Sequence, residues 1–272
     1  MISVIILTLN EEVNLPACLE SVRWSNDIVV FDSYSTDRTV EIARAFGARV
    51  IQRHYDNELN QRAASLQVDF KHPWVFIPDA DEVAEPLLCE EMRTVVGDPN
   101  RREVAYRMRF KTIFMGQWIK HSSLYPTWIM RLVQPAHIRP ERAINTGYRT
   151  EGLEGRLQNH LEHYTFRNGL DAWVAKHNRY AKVEASQNIT DLSCASLRDF
   201  ADVINITNPV LRRRAMKLLS MCLPFRPSLR FLFMYCLRGG FLDGRAGLTY
   251  CRLMAWYEFM IVLNLRELRR RA

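Results

Sequence analysis

The sequence predicts an α/β fold, a mostly parallel sheet with helices on both faces, followed by a basic amphipathic helical region. Three observations carry this. Short apolar runs at residues 2–7, 28–31 and 74–77 are right for buried parallel strands. Segments of helical period stand between them with loops of a few residues, the alternation that builds βαβ units. Beyond Pro209 the composition changes: residues 210–272 hold 13 Lys/Arg against 3 Asp/Glu, and the remainder holds 24 against 27. These features divide the chain into residues 1–209 and a basic region, residues 210–272.

Taken in order, residues 2–8 form the first strand. Leu15, Leu19 and Val22 share a face of a helix expected over residues 11–22, with Asn10 as its cap. The second strand, residues 28–31, empties into Asp32-Ser33-Tyr34-Ser35-Thr36-Asp37-Arg38-Thr39, where Thr36 or Asp37 can cap a helix over residues 40–46. Gly47 ends that helix, and residues 48–52 form a third strand. A helix over residues 58–69 precedes the fourth strand, residues 74–77. A further helix starts near Glu85-Pro86. Residues 103–110 and part of 128–133 alternate polar with apolar, so antiparallel strands extend the sheet. Gly147, Gly152 and Gly155 predict a loop, and residues 170–187 return to helix. Pro224, Pro227 and Gly239-Gly240 break the basic region.

The 272 residues suffice for one large domain, or one domain plus an appendage, and 25% charged with 48% apolar residues excludes wholesale disorder. The six cysteines are scattered without metal-ligand spacing, which fits reduced thiols in a cytosol. The first residues read as a strand and not as a signal peptide. The most apolar stretch, residues 248–265, contains Arg252 and Glu258, so no spanning helix is expected. A net charge of +7 concentrated in the tail points to an anionic partner surface.

The fourth strand ends in Asp79-Ala80-Asp81-Glu82. Carboxylates this close repel one another, so the cluster costs stability unless a cation sits among them. Hard divalent ions, Mg²⁺ or Mn²⁺, take oxygen ligands and commonly share them with phosphates. In open α/β sheets, ligands bind just beyond the carboxyl ends of the strands, where Asp79 and Asp81 stand. A solvated acidic turn ahead of a helix would carry the same letters, so the neighbouring motifs decide.

Thr8-Leu9-Asn10-Glu11-Glu12 follows the first strand, the Asp32–Thr39 run the second, and Asp79-Ala80-Asp81-Glu82 the fourth. This ordered set resembles family-2 glycosyltransferases of the GT-A fold. It is closest to the bacterial subgroup resembling lipopolysaccharide-core β-glucosyltransferases. Asn60-Gln61-Arg62-Ala63-Ala64, His163-Tyr164, Lys176-His177-Asn178-Arg179-Tyr180 and Arg238-Gly239-Gly240-Phe241-Leu242-Asp243-Gly244 extend the resemblance over nearly the whole chain.

The resemblance implies a nucleoside diphosphate sugar donor, UDP foremost, a divalent metal and inverting transfer. It assigns Thr8, Asn10, Glu11 and Asp32 to the nucleoside, and Asp79 and Ala80 to the ribose or metal. Asp81 binds the metal, with Asp79 and His163 completing its shell. Arg62, Lys176 and Arg179 grip the diphosphate; the last two fall three apart on one helix face. The family places an acidic residue ahead of or within the Gly152–Gly155 stretch, which makes Glu151 the expected catalytic base and Glu154 the reserve. The acceptor implied is a lipid-linked, lipopolysaccharide or exopolysaccharide intermediate at the cytoplasmic face of the inner membrane. The tail lies on the anionic leaflet, or instead packs as a helical subdomain or an oligomer interface.

Four rivals differ in what they leave unused or lack. A nucleotidyltransferase making the activated sugar needs a Gly-rich basic loop after the first strand, which Thr8-Leu9-Asn10-Glu11-Glu12 is not. A sugar-nucleotide-binding protein without transfer activity keeps every motif except the base. A nucleic-acid-binding module would use the basic tail but leaves the acidic strand ends without a purpose, so no nucleic acid is expected. A Rossmann dehydrogenase lacks its GxGxxG turn here.

Overall fold

The computed structural model describes residues 1–141, 147–204 and 209–271. They pack as two compact units, residues 1–170 and 171–272. The composition change at 209 falls inside the second of these, at the start of a helix.

The first unit opens with β1 (Ile2–Thr8), α1 (Leu15–Ser21), β2 (Ile28–Asp32), α2 (Thr39–Ala45), β3 (Arg49–Gln52), α3 (Glu58–Ser65) and β4 (Trp74–Phe76). A short β5 (Glu82–Ala84), absent from the sequence expectation, precedes α4 (Pro86–Gly97). Then come β6 (Glu103–Phe114), β7 (Gln117–Trp118), β8 (Trp128–Val133), β9 (Ile138–Glu141), β10 (Gly147–Thr150) and β11 (Leu153–Tyr164). The main sheet runs β3-β2-β1-β4-β8-β6-β11-β5, with β7 beside β6, while β9 and β10 form a separate hairpin. The β3-β2-β1-β4 half is parallel. β8 joins β4 and β6 antiparallel, as the alternating pattern predicted.

Helices cover both faces because the strands are apolar on both. Val4, Ile6, Val30 and Phe76 pack with Leu15 and Leu19 of α1, Ala43 of α2 and Leu88 of α4. Ile5, Val29, Phe31 and Val75 pack with Leu66 after α3, and with Ile138 and Tyr148 of the hairpin. Of the glycines expected in a loop, Gly152 does lie in the bend between β10 and β11, whereas Gly147 opens β10 and Gly155 lies within β11. A Cβ on Gly155 would stand 2.3 Å from the Tyr106 ring, and one on Gly152 2.4 Å from Val104. These glycines let β11 lie flat against β6.

The second unit is helical. It contains α5 (Gly169–Ser193, which begins two residues before the boundary), α6 (Leu197–Ala201), α7 (Pro209–Cys222), α8 (Arg226–Leu232) and α9 (Gly244–Arg271). A π-helical turn, Phe233–Leu237, and a 3₁₀ turn, Gly240–Asp243, join the last two. Trp173 is buried and stacks on His177 at 3.7 Å. Among the described residues no helix is long and apolar enough to cross a membrane.

Buried Asp27 ties three edges of the parallel half together. It accepts hydrogen bonds from Ser3 Oγ (2.6 Å), the Lys71 N–H (2.9 Å) and Arg49 Nη2 (2.9 Å). Burial pushes its pKa up, but these donors outweigh burial and hold it below the ordinary carboxylate value. Asp27→Ala is expected to cost about 1–3 kcal/mol by urea unfolding, through the donors it strands. A lowered folded-state pKa contributes stability that is complete above the unfolded value of about 3.9 and lost as pH falls through the folded value. The difference between wild type and variant therefore shrinks on acidification.

Candidate functional site

The strand ends of the parallel half come level because Thr8 and Asp32 are paired in register. Thr8 Oγ1 (3.0 Å) and Ser35 Oγ (2.5 Å) donate to Asp32 Oδ1, and the Ser35 N–H (2.9 Å) and Gln52 Nε2 (3.0 Å) donate to Oδ2. Asp32 is fully buried. In this structure its acceptors tie the ends of β1 and β3 to the loop that follows β2.

Asn10 does not cap α1, as the sequence predicted; Asn14 holds that position. Asn10 adopts a left-handed backbone (φ 56°), which asparagine tolerates better than most residues. Its N–H donates to Ser35 Oγ and its Oδ1 accepts the Thr36 N–H, both at 2.8 Å, so it stitches the first loop to the second. The Glu11 N–H donates to Thr39 Oγ1 (2.8 Å), and the Glu11 carboxylate accepts from Asn14 and Asn168. Arg38, not Thr36 or Asp37, holds the N-cap position of α2; Asp37 stands one residue before it and accepts the N–H of Thr39 (3.0 Å).

Asp79 lies just beyond β4, bridged to Leu7 of β1. Its Oδ1 accepts from Arg62 Nη2 (3.0 Å), and its Oδ2 pairs with Arg131 of β8. Arg131, 2% exposed, also donates to Glu82 Oε1 at 2.5 Å, while the Asp79 N–H donates to Glu82 Oε2 at 2.9 Å. Two guanidinium groups therefore offset the carboxylate repulsion that the sequence reading left to a metal. Burial pushes Asp79 up, but Arg131 and Arg62 outweigh it and hold the carboxyl well below the usual range. Burial pushes Glu82 up to about 7, with the Asp79 charge adding to burial and Arg131 opposing it. Glu82 is fully buried on β5 and serves as an internal brace.

Asp81 faces elsewhere. Its Oδ2 stands 3.3 Å from His163 Nε2, which β11 brings alongside by pairing His163 with Glu82. The Tyr164 N–H donates to the Asp81 carbonyl (2.9 Å), and Phe110 stacks on the imidazole at 4.9 Å. Burial lowers the His163 pKa, but Asp81, with Glu82 and Asp79 adding to it, outweighs burial and raises it. Asp79, Asp81 and Glu82 offer carboxylate oxygens within 4.8 Å of one another. Donors at 2.0–2.1 Å on adjacent vertices of an octahedral ion stand about 3 Å apart. The Asp81–His163 separation fits that spacing with an oxygen–nitrogen donor pair. Ala80, between the two aspartates, is buried in the core.

The remaining candidates are dispersed. Glu154 is engaged by Arg107 through two contacts, 2.6 and 3.2 Å. Glu151 is exposed and lines a cleft of about 440 Å³ with His137, Arg139, Glu141 and Arg149. Lys176 and Arg179 are exposed on α5 in the second unit, with Lys176 Nζ over the Tyr180 ring at 5.9 Å.

The Glycosyl transferase family 2 model matches residues 3–165, which contain every element of the acidic corner. The chain belongs to glycosyl transferase family 2. Its sheet has the parallel half with antiparallel extension that the sequence predicted. An uncharacterized family member, a glycosyltransferase of Rickettsia typhi, is 33% identical over 119 residues, 42% of this chain and 40% of that protein. The chain therefore spans less than half the length of this relative. The lipopolysaccharide core biosynthesis glycosyltransferase LpsC of Rhizobium meliloti is 23% identical over 93% of this chain and 90% of its own. Among solved structures, the mannosyltransferase PcManGT of Pyrobaculum calidifontis, in complex with GDP-Man and Mn²⁺, aligns over 97% of this chain and 86% of its own, with 13% identity and a TM-score of 0.49. TarS of S. aureus aligns over 93% and 89%, with 13% identity and a TM-score of 0.44.

Sequence reasoning missed Arg131 and Gln52. Its signal for Arg131 was an arginine set between Met130 and Leu132 in an otherwise apolar strand. Removing Arg131 leaves buried Glu82 without its cationic partner and leaves half-buried Asp79 with Arg62 alone. Arg131→Met is expected to lose about 3–5 kcal/mol by urea unfolding. Arg131→Lys, which keeps the charge but not the fork, should lose less.

Proposed function

We propose that this chain transfers a sugar from a nucleoside diphosphate sugar, UDP foremost, to a lipid-linked, lipopolysaccharide or exopolysaccharide acceptor at the inner face of a membrane. Inversion at the sugar carbon belongs to the same proposal. Family membership and the likeness to LpsC support the reaction class and the kind of acceptor. The single observation that carries the reading is Asp81 at the end of β4 with His163 of β11 set against it.

Such a reaction needs the nucleoside held, the departing diphosphate neutralised, the acceptor hydroxyl deprotonated and water kept out. Thr8, Asn10 and Glu11 lie in the stitched loops beside the strand ends, where a nucleoside fits the strand-end rule. In this account Asp32 acts by holding those loops. Asp81 and His163 would hold a divalent ion, Mg²⁺ or Mn²⁺, which offsets charge on the leaving diphosphate when bound. Asp79, fixed by two arginines, presents its backbone and any oxygen the arginines release toward the ribose. Arg62, Lys176 and Arg179 are assigned to the phosphates, and Glu151 to the acceptor proton.

The second reading, binding without transfer, draws on the engagement of Glu154 by Arg107, which leaves Glu151 as the one candidate base not paired in this way. Thermal shift over a panel of nucleotide sugars, with and without Mn²⁺, tests the main reading. A UDP-sugar at about 100 times its Kd should stabilise the fold by about 2.7 kcal/mol. That response should require metal and should vanish in Asp81→Ala. No metal-dependent response to any nucleotide sugar would contradict the proposal. Glu151→Gln is expected to keep the donor response and lose transfer by about 100-fold or more. Full turnover in that variant removes Glu151 as base, and donor binding without turnover in the wild type favours the second reading.

A further inference from the structure

We propose that the corner of the second unit formed by residues 223–242 is a preformed wedge that inserts into the headgroup layer of an anionic membrane leaflet. The proposal rests on the reading that the acceptor is membrane-borne, and narrows the contact from the whole tail to one corner. Phe225, at the start of α8, is 80% exposed, and Leu237 (79%) and Leu242 (63%) lie in the turns before α9, with Leu223, Leu232 and Phe241 also exposed along the segment. Soluble surfaces rarely carry so dense a set of large apolar tips without a partner.

The tips are held outward by a rigid base. Met234, Gly240 and Asp243, interleaved with them, are buried. A Cβ on Gly240 would stand 2.8 Å from the Met234 carbonyl, and one on Gly247 of α9 would stand 2.2 Å from the Gly240 carbonyl. Backbone thus packs on backbone there. Arg226, at the start of α8, forms an ion pair with Glu258 of α9. The backbone is already ordered, so only side-chain ordering remains to be met when the segment meets its partner.

Charge identifies the partner. Residues 223–252 contain five arginines and one acidic residue, Asp243, which is buried; one of the five, Arg226, is the partner of Glu258. Arg238 and Arg245 are exposed at the same corner. A second copy docking through this surface about a two-fold axis would set these cations against their own kind. Anionic lipid answers both the apolar tips and the arginines.

The test is cosedimentation of the full chain with vesicles of phosphatidylcholine alone and of an equal mixture with phosphatidylglycerol. Binding should be about tenfold or more tighter to the mixture. Phe225→Asp and Leu237→Asp should each weaken it by about tenfold or more. Arg238→Gln with Arg245→Gln should remove the preference for anionic lipid. In the wild type, alkylation of exposed Cys236 should slow on anionic vesicles while that of exposed Cys194 does not, a readout that needs no variant to fold. A wild type that ignores both vesicles, or variants that bind like the wild type, would overturn the proposal. So would a wild-type dimer that Phe225→Asp dissociates while vesicles have no effect, which assigns the corner to self-association. Loss of vesicle binding with an intact metal-dependent donor response overturns the wedge alone. Vesicle binding with no donor response overturns the glycosyltransferase reading alone.

Discussion

A single guanidinium organises the acidic corner. Arg131 is buried between half-buried Asp79 and fully buried Glu82, and Arg62, itself paired with Glu58, supplies a second positive charge to Asp79. Burying any of these charges alone would be prohibitive. Together they form a compensated block that joins β4, β5, β8 and α3. The block fixes the peptide between Asp79 and Glu82, and so fixes where Asp81 points. Strain is not required; the geometry follows from satisfying the charges.

This block separates two roles that a run of acids blurs. Asp79 and Glu82 hold the corner, and in the proposed site Asp81 with His163 would offer the donors. The imidazole is positioned by β11, whose approach depends on glycines at 152 and 155, far from the chemistry. A sheet detail therefore reaches the site: if β11 could not lie against β6, His163 would lose its place opposite Glu82. On the other side, Asp32 gathers the ends of β1 and β3 and the loop after β2 into one rim through four hydrogen bonds. The rim and the corner are built by different means, one by neutral donors around a buried carboxylate, the other by ion pairs.

Much of this was legible in the sequence. The apolar strands, the alternation with helices and the acids closing the fourth strand follow directly from hydrophobic period. Arg131 was not legible because alternation reads it as one of a strand's solvent-facing positions. The pairing skips it: Tyr106 sits opposite Leu132 and Arg107 opposite Met130, so Arg131 is an extra residue that the bulge turns inward. Gly147, Gly152 and Gly155 read as a loop because glycine usually marks one, whereas Gly152 and Gly155 admit a neighbour's side chain. Asn10 looked like a cap, yet its long-range bonds to the second loop, invisible in local sequence, outweigh that use. In the tail, composition revealed the charge but not which apolar residues the fold would leave outside.

The claim on which the account turns is that Asp81 and His163 share one divalent ion in the presence of a nucleoside diphosphate. Electron spin echo spectroscopy of Mn²⁺ added with UDP tests this directly. The account predicts a nitrogen coupling from a single histidine in the wild type, lost in His163→Gln, and weaker Mn²⁺ binding in Asp81→Asn. A spectrum without histidine nitrogen, or one unchanged in His163→Gln, would contradict it.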